Sequence, residues 1–116
     1  MFGKNSLRVG LPALLLFLPA ISGAQDIQRG REIALLVCTS CHVVETDQKY
    51  TVILRPPAPP FESIARKPTT TADSIAAHLK TTHRGADNPV GMPNPQLTDS
   101  YIEQVTAYLL SLRNNR

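Results

Sequence analysis

The sequence feature that most constrains this chain is the segment Cys38-Thr-Ser-Cys-His42. Two thiols separated by two residues and followed at once by an imidazole are the pattern of covalent c-type haem attachment. The same cysteine spacing also occurs in redox dithiols, in structural disulfides and in half of a zinc site. Cys38 and Cys41 are the only cysteines in the chain, so no second pair competes with them.

The N-terminus has the organisation of a secretory signal peptide. Lys4 and Arg8 precede an apolar run that extends from Val9 to Ile21, and the small residues Ser22-Gly-Ala24 follow it. A basic start, an apolar stretch and small residues at its exit are typical of export signals. We therefore expect cleavage after Ala24 and a location in the bacterial periplasm.

This cleavage would divide the chain into a signal peptide (residues 1–24) and one mature domain (residues 25–116). The alternative is an uncleaved membrane anchor. Pro12 and Pro19 argue against it, because they shorten any helix there, whereas a spanning helix needs about 20 apolar residues. We therefore expect no membrane span after signal cleavage.

The composition of the mature domain excludes some partners. Its ten basic and nine acidic residues nearly balance, so it has no electrostatic footprint for nucleic acid. So short a chain forms a marginal core by itself. A covalently held haem would add a large apolar surface at its centre.

The pattern of apolar residues predicts an all-α domain without a well-supported strand. We expect a first helix that begins at Asp26 as N-cap and ends at Val37, and a last helix with Thr98 as N-cap. Between them, Thr70 and Asp73 resemble a capping box for a third helix. We therefore expect helices over residues 26–37 and 61–66, a third helix that begins near residue 69 and ends near Thr82, and a last helix that begins at Thr98.

The predicted helices favour haem attachment over the other uses of the cysteine pair. In redox dithiol proteins the cysteine pair typically follows a strand and lies at the start of a helix, whereas here a predicted helix ends at Cys38. A zinc site would need a fourth ligand, and no second pair exists. We therefore expect one haem c, bound by thioethers from Cys38 and Cys41, with His42 as an iron ligand.

Met92 is the candidate for the second iron ligand. It is the only methionine after the signal peptide, and it lies in a proline-bearing loop (residues 83–96). A thioether ligand raises the reduction potential relative to an imidazole. The alternatives are that Met92 fills space in the core, or that His78 or His83 ligates the iron instead.

With these residues the chain resembles the small class I c-type cytochromes over essentially all of the mature domain. The resemblance rests on a helix that leads into Cys38-Thr-Ser-Cys-His42, a later Gly91-Met-Pro93 loop and a closing helix with Tyr108 and Leu109. It implies a cytochrome c fold of three to four helices around one haem. It also implies that His42 and Met92 are the iron ligands.

The resemblance assigns two supporting features. Gly30 matches the small residue at which the first helix packs on the last, with Val105, Tyr108 and Leu109 as its partners. Pro59 matches the residue whose carbonyl accepts a hydrogen bond from Nδ1 of the proximal histidine, with Pro57 or Pro60 as alternatives.

Tyr50, Val52 and Leu54, in the irregular loop of residues 43–60, are candidate haem-lining residues.

The function implied is one-electron transfer by a carrier that is not an enzyme, because two ligands close the iron. Expected partners are a membrane complex, an oxidase or a dehydrogenase, and we expect a monomer. Two alternatives remain open. The first is a dedicated cytochrome subunit of a periplasmic dehydrogenase, and the second is a haem sensor with bis-His or open-site iron.

Overall fold

The computed structural model of the chain describes residues 3, 6, 8–16 and 22–115. Within these residues the secondary structure is helical and includes no β-strand, which confirms the all-α fold class. The elements in chain order are α1 (Ser22–Val37), α2 (Phe61–Arg66), α3 (Ala72–Leu79), α4 (Asp99–Ser111) and a 3-10 turn (Leu112–Asn114). None of the described helices has the length and hydrophobicity needed to span a bilayer. Lys4 and residues 17–21 of the predicted signal peptide lie outside the described residues.

The first and last helices pack closely at Gly30, as predicted. A Cβ atom on Gly30 would overlap the carbonyl group of Gln104 and would lie 2.9 Å from the Cβ of Tyr108. Only glycine allows the two backbones to approach this closely. The buried core surrounds this contact; its members are Ala34, Cys38, Val44, Phe61, Ala65, Ile75, Leu79, Ile102, Val105, Tyr108 and Leu109.

The first helix begins earlier than predicted. It starts at Ser22, so Asp26 lies inside the helix and is not its N-cap. Ala24 and Gln25 are good helix formers and extend the helix toward the N-terminus in the chain that retains them. The C-terminal end at Val37, which positions Cys38, is as predicted.

The capping box of α3 is shifted by one residue from the prediction. Thr71 is the N-cap, and its side chain exchanges hydrogen bonds with Ser74. Thr70 is not free to cap, because it is buried and its hydroxyl donates to the carbonyl oxygen of Ile64 at 2.7 Å. That bond closes the turn after α2.

The cap of α4 is as predicted, because the side chain of Thr98 accepts a hydrogen bond from the backbone N–H of Tyr101. After α4, Arg113 reaches back to α2. Its Nε donates to the carbonyl oxygen of Ala65 at 2.5 Å, and its guanidinium also donates to the carbonyl of Thr70. The C-terminal end of the chain is thereby tied to the α2–α3 connection.

Candidate cofactor-binding site

The cysteine–histidine segment (residues 38–42) forms one further turn at the end of α1. The backbone N–H of Cys38 donates to the carbonyl oxygen of Ala34 at 2.9 Å, and that of His42 donates to the carbonyl oxygen of Cys38 at 2.8 Å. Cys38 is buried, Cys41 is partly buried, and no disulfide joins them. The helix therefore presents both sulfur atoms and the imidazole within a single turn.

The environment of Cys38 does not suit a redox dithiol or a zinc ligand. Burial, with a smaller contribution from Cys41, raises the pKa of the Cys38 thiol to about 11. Redox attack and metal binding both need the thiolate, which this environment disfavours at neutral pH. In the described part of the chain, no group of three or more metal-binding side chains converges on one point.

The imidazole of His42 is held by the proline-rich end (residues 56–60) of the irregular loop of residues 43–60. Its Nδ1 lies 2.7 Å from the carbonyl oxygen of Pro59. Since a carbonyl oxygen can only accept, Nδ1 carries the proton, and Nε2 keeps a lone pair. The ring of Phe61 packs edge-on against His42 with the centroids 5.5 Å apart. The orientation and tautomer of this histidine are therefore fixed.

Backbone hydrogen bonds on both sides of His42 explain why Pro59 is positioned there. The N–H of Ala58 donates to the carbonyl oxygen of Cys41 at 3.0 Å, and the N–H of Phe61 donates to the carbonyl oxygen of Val43 at 2.9 Å. Proline has no N–H, so this segment docks through the residues that flank its last two prolines. The carbonyl of Pro59 is thereby left facing the imidazole.

Two further contacts tie the segment after His42 to α1 and α4. Arg31 in α1 forms a bidentate ion pair with Glu45, with both N–O distances at 2.7 Å. This pairing raises the pKa of the Arg31 guanidinium. The hydroxyl of Tyr108 in α4 donates to the carbonyl oxygen of Val44 at 3.1 Å. Burial, followed by the charge of Glu45, raises the pKa of this phenol and keeps it a donor.

Gln48 is a supporting residue that sequence reasoning missed. Its Oε1 accepts from the backbone N–H of Val44 at 2.7 Å, and its Nε2 donates to the carbonyl oxygen of Tyr50 at 2.7 Å. The same amide lies 3.4 Å from the carbonyl oxygen of His42. A lone glutamine in an irregular loop has no sequence signal for this role.

The candidate lining residues of this loop differ in exposure. Val52 is 7% exposed, whereas Tyr50 is 59% exposed and Leu54 is intermediate. The carbonyl oxygen of Ser40 accepts the backbone N–H groups of both Ile53 and Leu54. This part of the loop is therefore bonded to the cysteine–histidine segment.

Met92 lies on a second loop and is partly buried against the core cluster that contains Cys38 and Phe61. The carbonyl oxygen of Met92 accepts the backbone N–H of His83 at 2.7 Å. The loop of residues 83–96 thus brings the methionine back to the protein interior after the exposed stretch of residues 84–90.

The two other histidines stack on each other beside this loop. The rings of His78 and His83 lie 3.7 Å apart and are nearly parallel. Nε2 of His83 donates to the carbonyl oxygen of His78 at 3.1 Å, so this side chain caps the C-terminal end of α3. His78 is exposed. Desolvation, the neighbouring His83 and then His42 lower its pKa.

These residues fit a covalently attached haem. Two unpaired sulfur atoms lie one turn apart, and the adjacent histidine has Nδ1 engaged and Nε2 without a protein hydrogen-bond partner in the described residues. A histidine that ligates a metal through one nitrogen typically donates its other N–H to a carbonyl in this way.

Comparisons with known proteins agree with this reading of the site. The family model described as cytochrome c matches residues 27–113. The chain is 31% identical over 90 residues to cytochrome c-552 of Bradyrhizobium diazoefficiens, and the alignment covers 78% of each chain. No solved structure shows significant similarity to the chain. The chain therefore belongs to the cytochrome c family of electron carriers, whose haem c is bound covalently through the motif that Cys38 and Cys41 fit.

Proposed function

We propose that this cytochrome is a periplasmic one-electron carrier with a single haem, ligated by Nε2 of His42 and the sulfur of Met92. Cys38 and Cys41 hold the haem by thioethers. When bound, the haem supplies a one-electron Fe(III)/Fe(II) couple. The observation that carries the proposal is the 2.7 Å contact between Nδ1 of His42 and the carbonyl oxygen of Pro59.

This contact would prepare His42 to bind the haem iron. Because Nδ1 donates to a carbonyl, the lone pair lies on Nε2, which is the nitrogen that would bind the iron. Phe61 packs against the ring and limits its rotation. An imidazole fixed in this way changes little between oxidation states, which suits electron transfer.

The environment of Met92 supports it as the other ligand. The residue is partly buried against the core and its backbone is bonded to His83. The imidazole of His83 is turned to the end of α3, where it is bonded to the carbonyl of His78. That engagement disfavours His83 as the axial ligand and hence this form of bis-His iron.

A carrier without enzymatic activity follows from two protein ligands, because His42 and Met92 together would leave no open site on the iron for a substrate. The signal peptide predicted over residues 1–24 supports export to the periplasm. The near balance of basic and acidic residues supports transient docking, as a monomer, with modest salt sensitivity. Partners of the expected classes are a membrane complex, an oxidase and a dehydrogenase.

The absorption spectrum of the purified ferric protein tests the ligand assignment. We expect the weak far-red band of a sulfur–iron bond in the wild type, and its loss in Met92→Ala. The ferrous wild type should not bind carbon monoxide at neutral pH, whereas Met92→Ala should bind it. A wild type that lacks the band and binds carbon monoxide would instead indicate an open-site sensor.

A further inference from the structure

The loop that carries Met92 is closed by its own hydrogen bonds. The N–H of His83 donates to the carbonyl oxygen of Met92 at 2.7 Å and so joins the two ends of the segment formed by residues 83–92. Residues 84–90, which lie between these ends, are all exposed. Because so little of this segment is buried, packing contributes little to its shape.

Asn88 is bonded to both ends of this segment. Its Nδ2 donates to the carbonyl oxygen of His83 at 3.1 Å. Its own carbonyl oxygen accepts the backbone N–H of Gly91 at 3.1 Å. Asn88 therefore bonds through its side chain to the residue that pairs with Met92, and through its backbone to the residue that precedes Met92.

Gly91 leaves the space that this arrangement needs. A Cβ atom at Gly91 would overlap the carbonyl oxygen of His83 and would lie 2.5 Å from Nδ2 of Asn88. The bond between Asn88 and His83 therefore passes directly beside Gly91, at a position that only a residue without a side chain leaves open.

We infer that Asn88 is a positioning residue for Met92. Its amide, bonded to the carbonyl of His83, holds the loop closed so that the methionine sulfur remains available to the iron. Asn88 does not itself touch the site; it acts through His83 and Gly91. The inference rests on the proposed ligation by Met92 and adds a determinant of how firmly that ligand is held.

Competition by imidazole for the ferric iron measures this effect. An external ligand binds only when Met92 is detached, so its apparent Kd falls in proportion as the detached fraction rises. Asn88→Ala should lower the apparent Kd for imidazole about two- to tenfold, the range for loss of one hydrogen bond. Asn88→Asp keeps the shape but replaces the donor with an acceptor that faces a carbonyl, so its effect should be at least as large.

Asp87→Ala is the matched control. Asp87 is the adjacent exposed residue, and its carboxylate makes no hydrogen bond within the described part of the chain. This variant should bind imidazole as the wild type does. The denaturant midpoint for loss of helicity should fall only slightly in Asn88→Ala, by no more than the loss of one hydrogen bond allows, and should not change in Asp87→Ala.

The outcomes separate this inference from the proposed function. If the wild type shows the far-red band but both Asn88 variants bind imidazole with wild-type affinity, Asn88 is not a positioning residue and the ligation by Met92 stands. An equal gain of imidazole affinity in Asp87→Ala would also overturn the inference. If the wild type lacks the band, ligation by Met92 is wrong, and the inference fails with it.

Discussion

The two segments that carry the proposed iron ligands are held in different ways. The proximal segment (residues 38–61) is tied to both α1 and α4, and His42 and Phe61 are 9% and 4% exposed. The distal loop (residues 83–96) returns Met92 to the core between exposed residues, and much of its bonding is internal. The fold supports the first ligand directly, whereas a short loop supports the second.

This difference has a consequence for dynamics. Segments with few buried contacts open locally at a free energy below that of global unfolding. The distal loop should therefore open while the proximal segment stays closed. The covalent attachment and His42 would keep the haem in place during such openings, and Met92 would be the ligand that exchanges.

The largest expected effect comes from separating the helices that support the proximal segment. In Gly30→Ala the added Cβ would overlap the carbonyl group of Gln104, so α1 and α4 must move apart. Such overpacking costs about 3 kcal/mol, and the helix propensity of alanine offsets only about 1 kcal/mol of it. Denaturant titration of the haem-bearing protein, followed by helical circular dichroism, measures the loss.

Gly85→Ala is the control for this substitution. A Cβ atom there meets no heavy atom within 4 Å, although Gly85 lies in the distal loop. We expect no loss of stability from it. Similar losses for the two variants would show that the close approach at Gly30 does not support the proximal segment as described.

A smaller effect is expected from Tyr108→Phe, which removes the hydrogen bond from α4 to the carbonyl oxygen of Val44. Val44 is 2% exposed, so its carbonyl would lose its partner in the interior. The free energy of unfolding should fall by about 1 kcal/mol. Tyr101→Phe changes a phenol that is 48% exposed and should have almost no effect. An equal effect of both would argue against the anchoring role of Tyr108.

The helices illustrate what local sequence patterns can and cannot specify. Thr98 was predictable as an N-cap because its environment is local, and α4 begins directly after it. Thr70 was not, because its hydroxyl is used by the carbonyl of Ile64, a tertiary contact that overrides the local capping pattern. The start of α1 differs from the prediction because Ala24 and Gln25, directly before Asp26, are also good helix formers.

The candidate site also combines features that the sequence indicated with contacts that it did not. The segment from Cys38 to His42, together with the predicted helix that ends at it, indicated the attachment chemistry, and the resemblance indicated Pro59 as the partner of His42. No spacing rule relates Arg31 to Glu45, or Gln48 to the carbonyl of Tyr50, because these contacts form only when irregular loops pack against helices. The hydrogen bond from Asn88 to the carbonyl of His83 likewise depends on a loop conformation that sequence patterns do not specify.

Native-state hydrogen exchange of two amides in the ferric haem-bearing protein tests the central claim most directly. The N–H of Phe61 donates to Val43 at 2.9 Å in the proximal segment, and the N–H of His83 donates to Met92 at 2.7 Å in the distal loop. We expect Phe61 to exchange only near the free energy of global unfolding, and His83 to exchange through openings at least about 2 kcal/mol below it. Equal opening free energies for the two amides would contradict the account.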